Sequence, residues 1–269
     1  MIKHCGVLRN TRAILATVLL GIACDAHAIL DGSITNNSEA TADLWRSVPI
    51  VESDNGSPCT GALIQGNQVV TAAHCIHAGQ TRVIFTKERS SRDFVYNVLE
   101  MKCGQSRDQT LKDTDFFYDL MSKRPSQCIP PIHAEDVEAR GSYDICTLRI
   151  EKVADELIPL SIAQNLPSPG DSIFHFGWGI SSYPSMYGPP IYSSYLRLGI
   201  STFIEASNSV IMSAQNGKSR LDGGDSGGPV IAKDKDGIKL LGTLSMIMVN
   251  NCNYGGSVFT IRASGLPKF

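Results

Sequence analysis

The sequence predicts an all-β protein, arranged as a barrel or a sandwich. Short apolar runs rich in β-branched residues recur between turn residues, and helical periodicity is scarce. The chain has 269 residues, of which 42% are hydrophobic, so it can build a sizeable core in one or two domains. The predicted strands are residues 47–51, 61–64, 69–72, 81–86, 94–99, 145–150, 172–176, 209–212, 229–232, 239–249 and 257–261.

Residues 1–28 are predicted to be an export signal and not part of the fold. A basic start precedes an apolar run at 13–23 that is too short to span a bilayer comfortably. The tripeptide Ala-His-Ala at 26–28 then has the small-x-small pattern of a signal peptidase site. Cleavage there leaves a mature chain of 29–269, which we expect to be secreted or periplasmic, without membrane attachment.

Two other interpretations of the N-terminus stay open from the sequence alone. One is an uncleaved anchor helix, and the other is a lipoprotein acylated at Cys24. Export in any of these forms places the chain in an oxidising compartment, where disulfides form. Six cysteines remain after cleavage: Cys59, Cys75, Cys103, Cys128, Cys146 and Cys252.

Two stretches interrupt the strand pattern. Residues 101–132 are charged, and we interpret them as a surface insertion with a short helix at 113–121, closed by a Cys103–Cys128 disulfide. Residues 151–170 carry three prolines and few strand signals. They are therefore the best candidate for a linker between two halves of the fold.

Charge and histidine placement exclude several classes of partner. The formal net charge is −2, so there is no electrostatic argument for nucleic acid or an anionic membrane as a partner. The six histidines are scattered, and no cysteine–histidine group has the spacing of a zinc site. We expect no metal and no cofactor. We also expect a monomer, although the sequence does not determine the oligomeric state.

The strongest functional signal is the segment GDSGGP at 224–229. Ser226 lies between Asp225 and two glycines, a composition that predicts a tight, open turn. Small neighbours let a substrate carbonyl approach the serine, and inward backbone N–H groups can hold a developing oxyanion. A serine hydroxyl is a weak nucleophile, however, and needs a base.

Two further segments can supply the base and a group that orients it. His74 ends the apolar segment VTAAH, and Asp144 opens the predicted strand at 145–150. A carboxylate beside an imidazole sets its tautomer and stabilises its cation. Each signal alone has an ordinary structural explanation as a core histidine or a turn residue. Their occurrence together, in the order His, Asp, Ser, makes coincidence improbable.

These motifs resemble those of the trypsin/chymotrypsin family of serine peptidases. The segment 59–75 (CTGALIQGNQVVTAAHC) is similar to the histidine region of the family, including a cysteine pair at the family's spacing. The FGWG segment at 176–179 resembles the family's glycine-tryptophan-glycine segment. Ser245 fits the strand that binds substrate backbone, and residues 258–259 resemble the strand that closes the specificity pocket.

The resemblance implies a fold of two packed, antiparallel, six-stranded β-barrels with the active site in the cleft between them. The N-terminal barrel would span about 29–158 and the C-terminal barrel about 159–269. The family's disulfide would join Cys59 to Cys75. The implied activity is that of a secreted endopeptidase acting on proteins or peptides through an acyl-enzyme intermediate.

The resemblance also assigns roles to single residues. Ser226 attacks the peptide carbonyl, and His74 takes the serine proton and then gives it to the leaving amine. Asp144 orients His74. The backbone N–H groups of Gly224 and Ser226 form the oxyanion hole.

The family resemblance also implies a role for Ile29, the residue that follows the predicted signal. In the family, a new N-terminus, usually isoleucine, folds inward and its ammonium pairs with the aspartate before the nucleophile. Here Ile29 and Asp225 would form that ion pair, so export cleavage itself would activate the enzyme. Cleavage one or two residues away, or a short remaining pro-segment, are the alternatives.

The specificity pocket departs from the trypsin pattern. Arg220 falls six residues before Ser226, where trypsin-like members place an aspartate, so cleavage after Lys or Arg is not expected. Arg220 could attract an acidic side chain, pair with Asp222 and fill the pocket, or point to solvent. Ile247, two residues beyond Ser245, could narrow the entrance and favour small residues.

The sequence also departs from the family in its cysteines and at its C-terminal end. Asp222 occupies a position where relatives often carry a cysteine, so Cys252 lacks its usual partner. We expect Cys146 to be a buried thiol, with a Cys146–Cys252 disulfide as the alternative. The chain ends at Phe269, so we expect the C-terminal helix of relatives to be missing.

Two other functions use the same motifs: a catalytically inactive relative that binds partners, and an esterase with the same triad.

Overall fold

The structure is a computed structural model that describes residues 33–34, 42–104, 109, 112, 133–139, 143–184, 188–215, 220–248 and 257–267. Within these ranges the chain forms 17 strands in two large sheets and one short hairpin, with a single α-helix of more than one turn. The predicted all-β class is confirmed. None of the described helices is both long enough and apolar enough to cross a membrane.

The first large sheet is antiparallel and has the strand order β3-β2-β6-β7-β8-β5-β4. Strands β3 and β4 are separated by one residue, Gly61, so the chain itself joins the two ends of the sheet and closes it into a barrel of six strand segments. Its strands are β2 Ile50–Ser53, β3 Cys59–Thr60, β4 Ala62–Leu63, β5 Gln68–Thr71, β6 Thr81–Phe85, β7 Phe94–Cys103 and β8 Cys146–Ile150.

The second large sheet closes by hydrogen bonds. Its six main strands follow the order β13-β10-β15-β16-β17-β14, and β14 pairs antiparallel with β13. Its strands are β1 Ser33–Ile34, β9 Ser161–Ile162, β10 Ser172–Gly177, β13 Arg197–Ala206, β14 Val210–Gln215, β15 Pro229–Asp234, β16 Gly237–Met248 and β17 Ser257–Arg262. The separate hairpin pairs β11 Ile180–Ser182 with β12 Ile191–Tyr192.

The predicted strand pattern agrees with the structure in most places. All eleven predicted strands overlap an observed strand, but the ten-residue strand β13 was missed. Strand β1 pairs with β13 in the C-terminal sheet, although the sequence interpretation had assigned its residues to the N-terminal barrel. The helix predicted at 113–121 and the signal at 1–28 lie outside the described residues.

Each barrel has its own apolar core, and a third cluster joins the two barrels. Val69, Phe85 and Leu148 belong to the cluster inside the first barrel, and Ile173 and Phe203 to the one inside the second. The joining cluster combines residues from both sheets: Val48, Ile50, Ala62, Ile64, Phe176, Trp178, Leu196 and Ile231. Burial of this surface holds the barrels together and fixes the cleft between them.

The short helix α1, Ala134–Ala139, packs on the outside of the second barrel. Ala134 and Val137 are buried there against Val210, Met212 and Ile261. The helix therefore carries the chain across the outer surface of the second barrel before it returns to the first barrel at β8.

The two disulfides differ from the prediction in one pair. Cys59 and Cys75 are bonded, as predicted. Cys103, however, is bonded to Cys146 and not to Cys128. Strand β7 continues to Cys103, and its antiparallel register with β8 places Cys103 directly opposite Cys146. The predicted Cys103–Cys128 disulfide, the Cys146 thiol and the alternative Cys146–Cys252 disulfide are therefore all wrong; Cys128 and Cys252 lie outside the described residues.

This pairing predicts different consequences for two cysteine substitutions. Cys146→Ala should lower the free energy of unfolding by about 2–4 kcal/mol, because it opens a large loop in the unfolded chain. It should also release the exposed Cys103 thiol for labelling by a maleimide. Cys128→Ala is the matched control and should change neither the unfolding free energy nor the labelling of Cys103. Labelling of Cys103 in Cys128→Ala would instead restore the pairing first predicted.

His175 is a buried polar residue in the second barrel. It lies on β10, opposite Gly199 of β13 and Val230 of β15, and is 2% exposed. Neither ring nitrogen has a hydrogen-bond partner among the described residues. Burial lowers the pKa of His175 to about 3, since the charged imidazolium would lose its hydration there.

The buried histidine predicts an acid-dependent loss of stability. Unfolding restores an imidazole pKa of about 6.5, so between about pH 6.5 and pH 3 the unfolded chain binds a proton that the folded chain does not. Stability should therefore fall with decreasing pH in this window, by up to about 1.4 kcal/mol per pH unit from this residue. His175→Leu should flatten that part of the curve in urea unfolding. An unchanged slope would show that His175 is protonated or hydrated in the fold.

Candidate active site

His74 lies on a short 3-10 turn, Ala73–Cys75, directly after strand β5. Val69 and Val70 of β5 are fully buried, which fixes the strand in the first barrel. The Cys59–Cys75 disulfide ties the other end of the turn to β3. The imidazole is therefore held between two fixed points, and its side chain is 22% exposed.

Asp144 lies two residues before β8 and is completely buried. Its Oδ2 is 2.8 Å from Nδ1 of His74, and its Oδ1 accepts a hydrogen bond of 2.9 Å from the His74 backbone N–H. Ser245 of β16 donates its hydroxyl to Oδ2 at 2.6 Å. The sequence interpretation predicted contact between His74 and Asp144 but missed the Ser245 hydroxyl as a donor to the carboxylate.

These contacts keep Asp144 ionised in a dry environment. Burial acts to raise the pKa of the carboxyl group, but the His74 charge and the hydrogen bonds from His74 and Ser245 act more strongly in the opposite direction. The pKa of Asp144 is therefore below its usual value. A carboxylate with three donors can fix the imidazole tautomer in which Nδ1 carries the proton.

Ser226 lies in the turn between β14 and β15, close to the His74 turn. Its backbone carbonyl accepts a hydrogen bond of 2.9 Å from the Thr60 N–H of β3. Sγ of Cys75, the residue after His74, is 3.7 Å from the same carbonyl oxygen. The backbone of Ser226 is thus placed against the disulfide that anchors the His74 turn.

Two glycines give the Ser226 turn its shape. Gly224 has φ of +91° and Gly227 has φ of +77°, a backbone region that favours glycine. A side-chain carbon on Gly224 would lie 2.9 Å from Cα of Gly179 and 3.0 Å from Cε1 of Tyr192. The turn is therefore packed closely against the segment that contains Gly179 and against strand β12.

Thr60 connects this turn to the first barrel. Its hydroxyl donates to the Gly224 carbonyl at 2.8 Å and accepts from the Trp178 N–H at 3.0 Å. Its own N–H donates to the Ser226 carbonyl. No pattern in the sequence indicated Thr60, because a threonine in a strand is ordinary. One residue of the first barrel thus fixes the backbone on both sides of Asp225.

The carboxylate of Asp225 is completely buried behind the turn. It accepts hydrogen bonds from the Gly179 N–H at 2.9 Å and the Asp222 N–H at 3.0 Å. A side chain on Gly177 or Gly179 would collide with it. The FGWG segment is therefore a glycine cradle for Asp225, which explains its composition. Ile29, the predicted ion-pair partner, lies outside the described residues.

The predicted specificity residues are distributed around the same turn. Arg220 is exposed, and Ile247 is partly buried against the apolar core of the second barrel. Asp222 accepts the Tyr183 hydroxyl at 3.1 Å. Burial and the neighbouring Asp222 raise the pKa of Tyr183. Asp222 thus binds the β11–β12 hairpin and does not form an ion pair with Arg220 among the described contacts.

One group of metal-type side chains occurs at the site. Atoms of Cys59, His74 and Cys75 that could bind a metal lie within 4.8 Å of one another. The two sulfurs are joined in a disulfide, so neither is available as a thiolate ligand. Among the described residues this group is better explained as the anchor of the His74 turn than as a metal site.

Comparison with known proteins places this geometry in context. The profile of the family described as "Trypsin" matches residues 34–266. A CLIP domain-containing serine protease B8 of Anopheles gambiae is 29% identical over 166 residues, which cover 55% of this chain and 39% of that protein. A snake venom serine protease of Crotalus durissus durissus is 26% identical over 161 residues, covering 59% of this chain and 53% of that protein.

The chain thus spans only about half the length of these relatives, or less. The fold is also similar to that of the solved structure of human heparin binding protein, with a TM-score of 0.57 and 16% identity. That similarity covers 87% of this chain and 91% of the other. It supports the two-barrel fold and carries no information on activity.

Proposed function

Because the chain belongs to the trypsin family, we propose that it is an exported serine endopeptidase that cleaves proteins or peptides through Ser226, His74 and Asp144. The observation that carries the proposal is the contact between the His74 ring and the buried Asp144 carboxylate at 2.8 Å. A buried carboxylate is costly, and here it is directed at His74, whose neighbour Cys75 lies against the Ser226 carbonyl.

In the proposed reaction, Oγ of Ser226 forms a bond to the peptide carbonyl carbon while His74 takes the serine proton at Nε2. Since Nδ1–H is held by Asp144, Nε2 is the basic nitrogen. The tetrahedral intermediate then breaks its C–N bond, and His74 gives the proton to the leaving amine. Water, activated by the same imidazole, releases the acyl group from Ser226 in the second half of the reaction.

The oxyanion that forms in both halves needs two donors. The backbone N–H groups of Gly224 and Ser226 are proposed for this role, since both belong to the closely packed turn. Donors that are already oriented cost no reorganisation during the reaction. The hydrogen bonds from Thr60 to Gly224 and Ser226 support that orientation from the first barrel.

Activation is proposed to follow export directly. Removal of residues 1–28 would create an ammonium group on Ile29, and this group would pair with Asp225 in its glycine cradle. The buried position of the Asp225 carboxylate supports the proposal, since a buried carboxylate is stabilised by a cation. The two disulfides fit the oxidising compartment that export implies.

The proposed specificity differs from that of trypsin. A cationic residue, Arg220, stands six positions before Ser226 and is not buried by the described part of the chain. A substrate lysine or arginine would meet a like charge there and would also lose hydration. Ile247 would restrict the size of the side chain accepted next to it. Small or acidic residues before the scissile bond are therefore proposed as substrates.

The triad predicts how two substitutions change labelling and turnover. A fluorophosphonate probe should label the folded wild-type protein at Ser226, and Ser226→Ala should abolish the labelling. Asp144→Asn should lower kcat by about 10⁴-fold, because the amide donates to Nδ1 and imposes the wrong tautomer. Ser168→Ala, in the exposed turn before β10, is the surface control and should leave labelling and kcat unchanged. An unlabelled wild-type protein would favour a binding function, and turnover of esters without peptides would favour an esterase.

The activation proposal predicts the N-terminal residue of the exported protein. Sequencing of the secreted or periplasmic chain should begin at Ile29, and that material should be active without further cleavage. Acetylation of the new amine should remove activity, since it removes the cation offered to Asp225. A mature chain that begins at another residue, yet is active, would refute this role of Ile29.

A further inference from the structure

Arg89 belongs to the first barrel but binds the second. It lies in the connection between β6 and β7, residues 86–93. Its Nε donates to the Ser193 carbonyl at 2.9 Å, and its Nη2 donates to the Trp178 carbonyl. Its backbone N–H donates to the Ser194 carbonyl at 2.9 Å. One arginine thus joins the end of the glycine cradle to the chain that leaves β12.

The guanidinium of Arg89 also lies over two aromatic rings. Its central carbon lies 5.3 Å from the ring centre of Tyr192 and 6.0 Å from that of Trp178. Trp178 is completely buried, with its indole N–H bonded to the Val48 carbonyl at 2.9 Å. The guanidinium therefore contacts one ring that is fixed in the interface between the barrels and one that is on the hairpin.

The two segments held by Arg89 are those against which Gly224 packs. Gly179 directly follows Trp178, and its Cα lies 2.9 Å from the position that a side-chain carbon on Gly224 would occupy. Cε1 of Tyr192 lies 3.0 Å from the same position, and the Pro58 carbonyl oxygen lies 3.2 Å from it. Gly179 also donates its N–H to Asp225. A displacement of either segment would therefore change the position of the Gly224 N–H and the cradle of Asp225 together.

The charges around Arg89 agree with its position beside the Trp178–Gly179 segment. Burial lowers the pKa of Arg89, but the negative charges of Glu52 and Asp225 act in the opposite direction. The guanidinium keeps its charge at any pH at which the protein is folded. Asp225 is therefore close enough for its charge to act on Arg89, although the two side chains are separated by the Trp178–Gly179 backbone.

From these contacts we infer that Arg89 is a positioning residue for the oxyanion hole, which holds the Trp178–Gly179 segment and the Tyr192 ring against Gly224. This inference rests on the proposed function. Arginine suits the role because its planar guanidinium donates in two directions and stacks at the same time. A lysine would keep the charge but would make one of these contacts at a time.

The test compares three variants in the exported, full-length mature protein. Arg89→Met keeps the aliphatic stem and removes the donors, and Arg89→Lys keeps the charge. Arg92→Met is the matched control, since Arg92 lies in the same connection and forms an exposed ion pair with Glu52 at 3.1 Å. The measurements are kcat and KM for a peptide substrate, and the second-order rate constant for fluorophosphonate labelling of Ser226.

Arg89→Met should lower kcat by about 10- to 100-fold, with KM within about 3-fold, because the oxyanion donor acts mainly in the transition state. The labelling rate should fall by the same factor, since phosphonylation also places an oxygen in the oxyanion hole. Arg89→Lys should recover part of the loss, and Arg92→Met should match the wild type.

Three results would overturn the inference: a kcat for Arg89→Met within 3-fold of Arg92→Met, a change confined to KM, or a lower melting temperature with unchanged kcat and labelling at 20 °C. If Arg89→Met does not fold, Arg89→Lys gives the same discrimination at a smaller amplitude. Failure of the proposed function itself would be seen separately, as absence of labelling in the wild type.

Discussion

The buried carboxylate of Asp144 is the constraint on which the rest of the site depends. A carboxylate without solvent is strongly unfavourable unless several donors compensate it. Here two donors come from His74 in the first barrel, and the third comes from Ser245 in the second. These three donors are therefore brought together only when the two closed sheets are packed against each other. The orientation of His74 and the packing of the barrels consequently rest on the same interaction.

A second buried carboxylate, that of Asp225, organises the other half of the site in the same way. Among its hydrogen-bond donors are the backbone N–H groups of Gly179 and Asp222, and the space around it exists because residues 177 and 179 lack side chains. Thr60 then joins this turn to the first barrel through two hydrogen bonds, to the carbonyls of Gly224 and Ser226, and accepts a third from the Trp178 N–H. The sequence motif GDSGGP is thus only part of the structure that positions Ser226; the remainder comes from β3 and from the FGWG segment.

Features that depend on local composition could be predicted from the sequence. Features that depend on tertiary contacts could not. Strand β13 was missed because its pattern is reversed: Arg197 and Ser201 face inward and are buried, while Ile200 is 42% exposed. The disulfide of Cys103 was assigned wrongly because its partner depends on how far β7 extends, which composition does not indicate. His74, Asp144 and Ser226 could be selected because their segments are unusual, whereas Thr60 and Arg89 occur in segments that look ordinary. Their contribution becomes visible only when the residues they bind, far away in the chain, are known.

Asp222 connects the Ser226 turn to the β11–β12 hairpin, a contact that the sequence motifs do not indicate. At the position where the family resemblance leads us to expect a cysteine, this chain has Asp222, whose carboxylate accepts a hydrogen bond from the Tyr183 hydroxyl and whose backbone N–H donates to Asp225. The Ser226 turn is therefore joined to the hairpin by hydrogen bonds, which are individually weaker than a covalent bond. The position of the Ser226 turn therefore depends on the rigidity of the surface to which it is hydrogen-bonded. Arg89 donates to Trp178 and Ser193 of that surface, so in our proposal this one arginine of the first barrel helps to support the candidate active site.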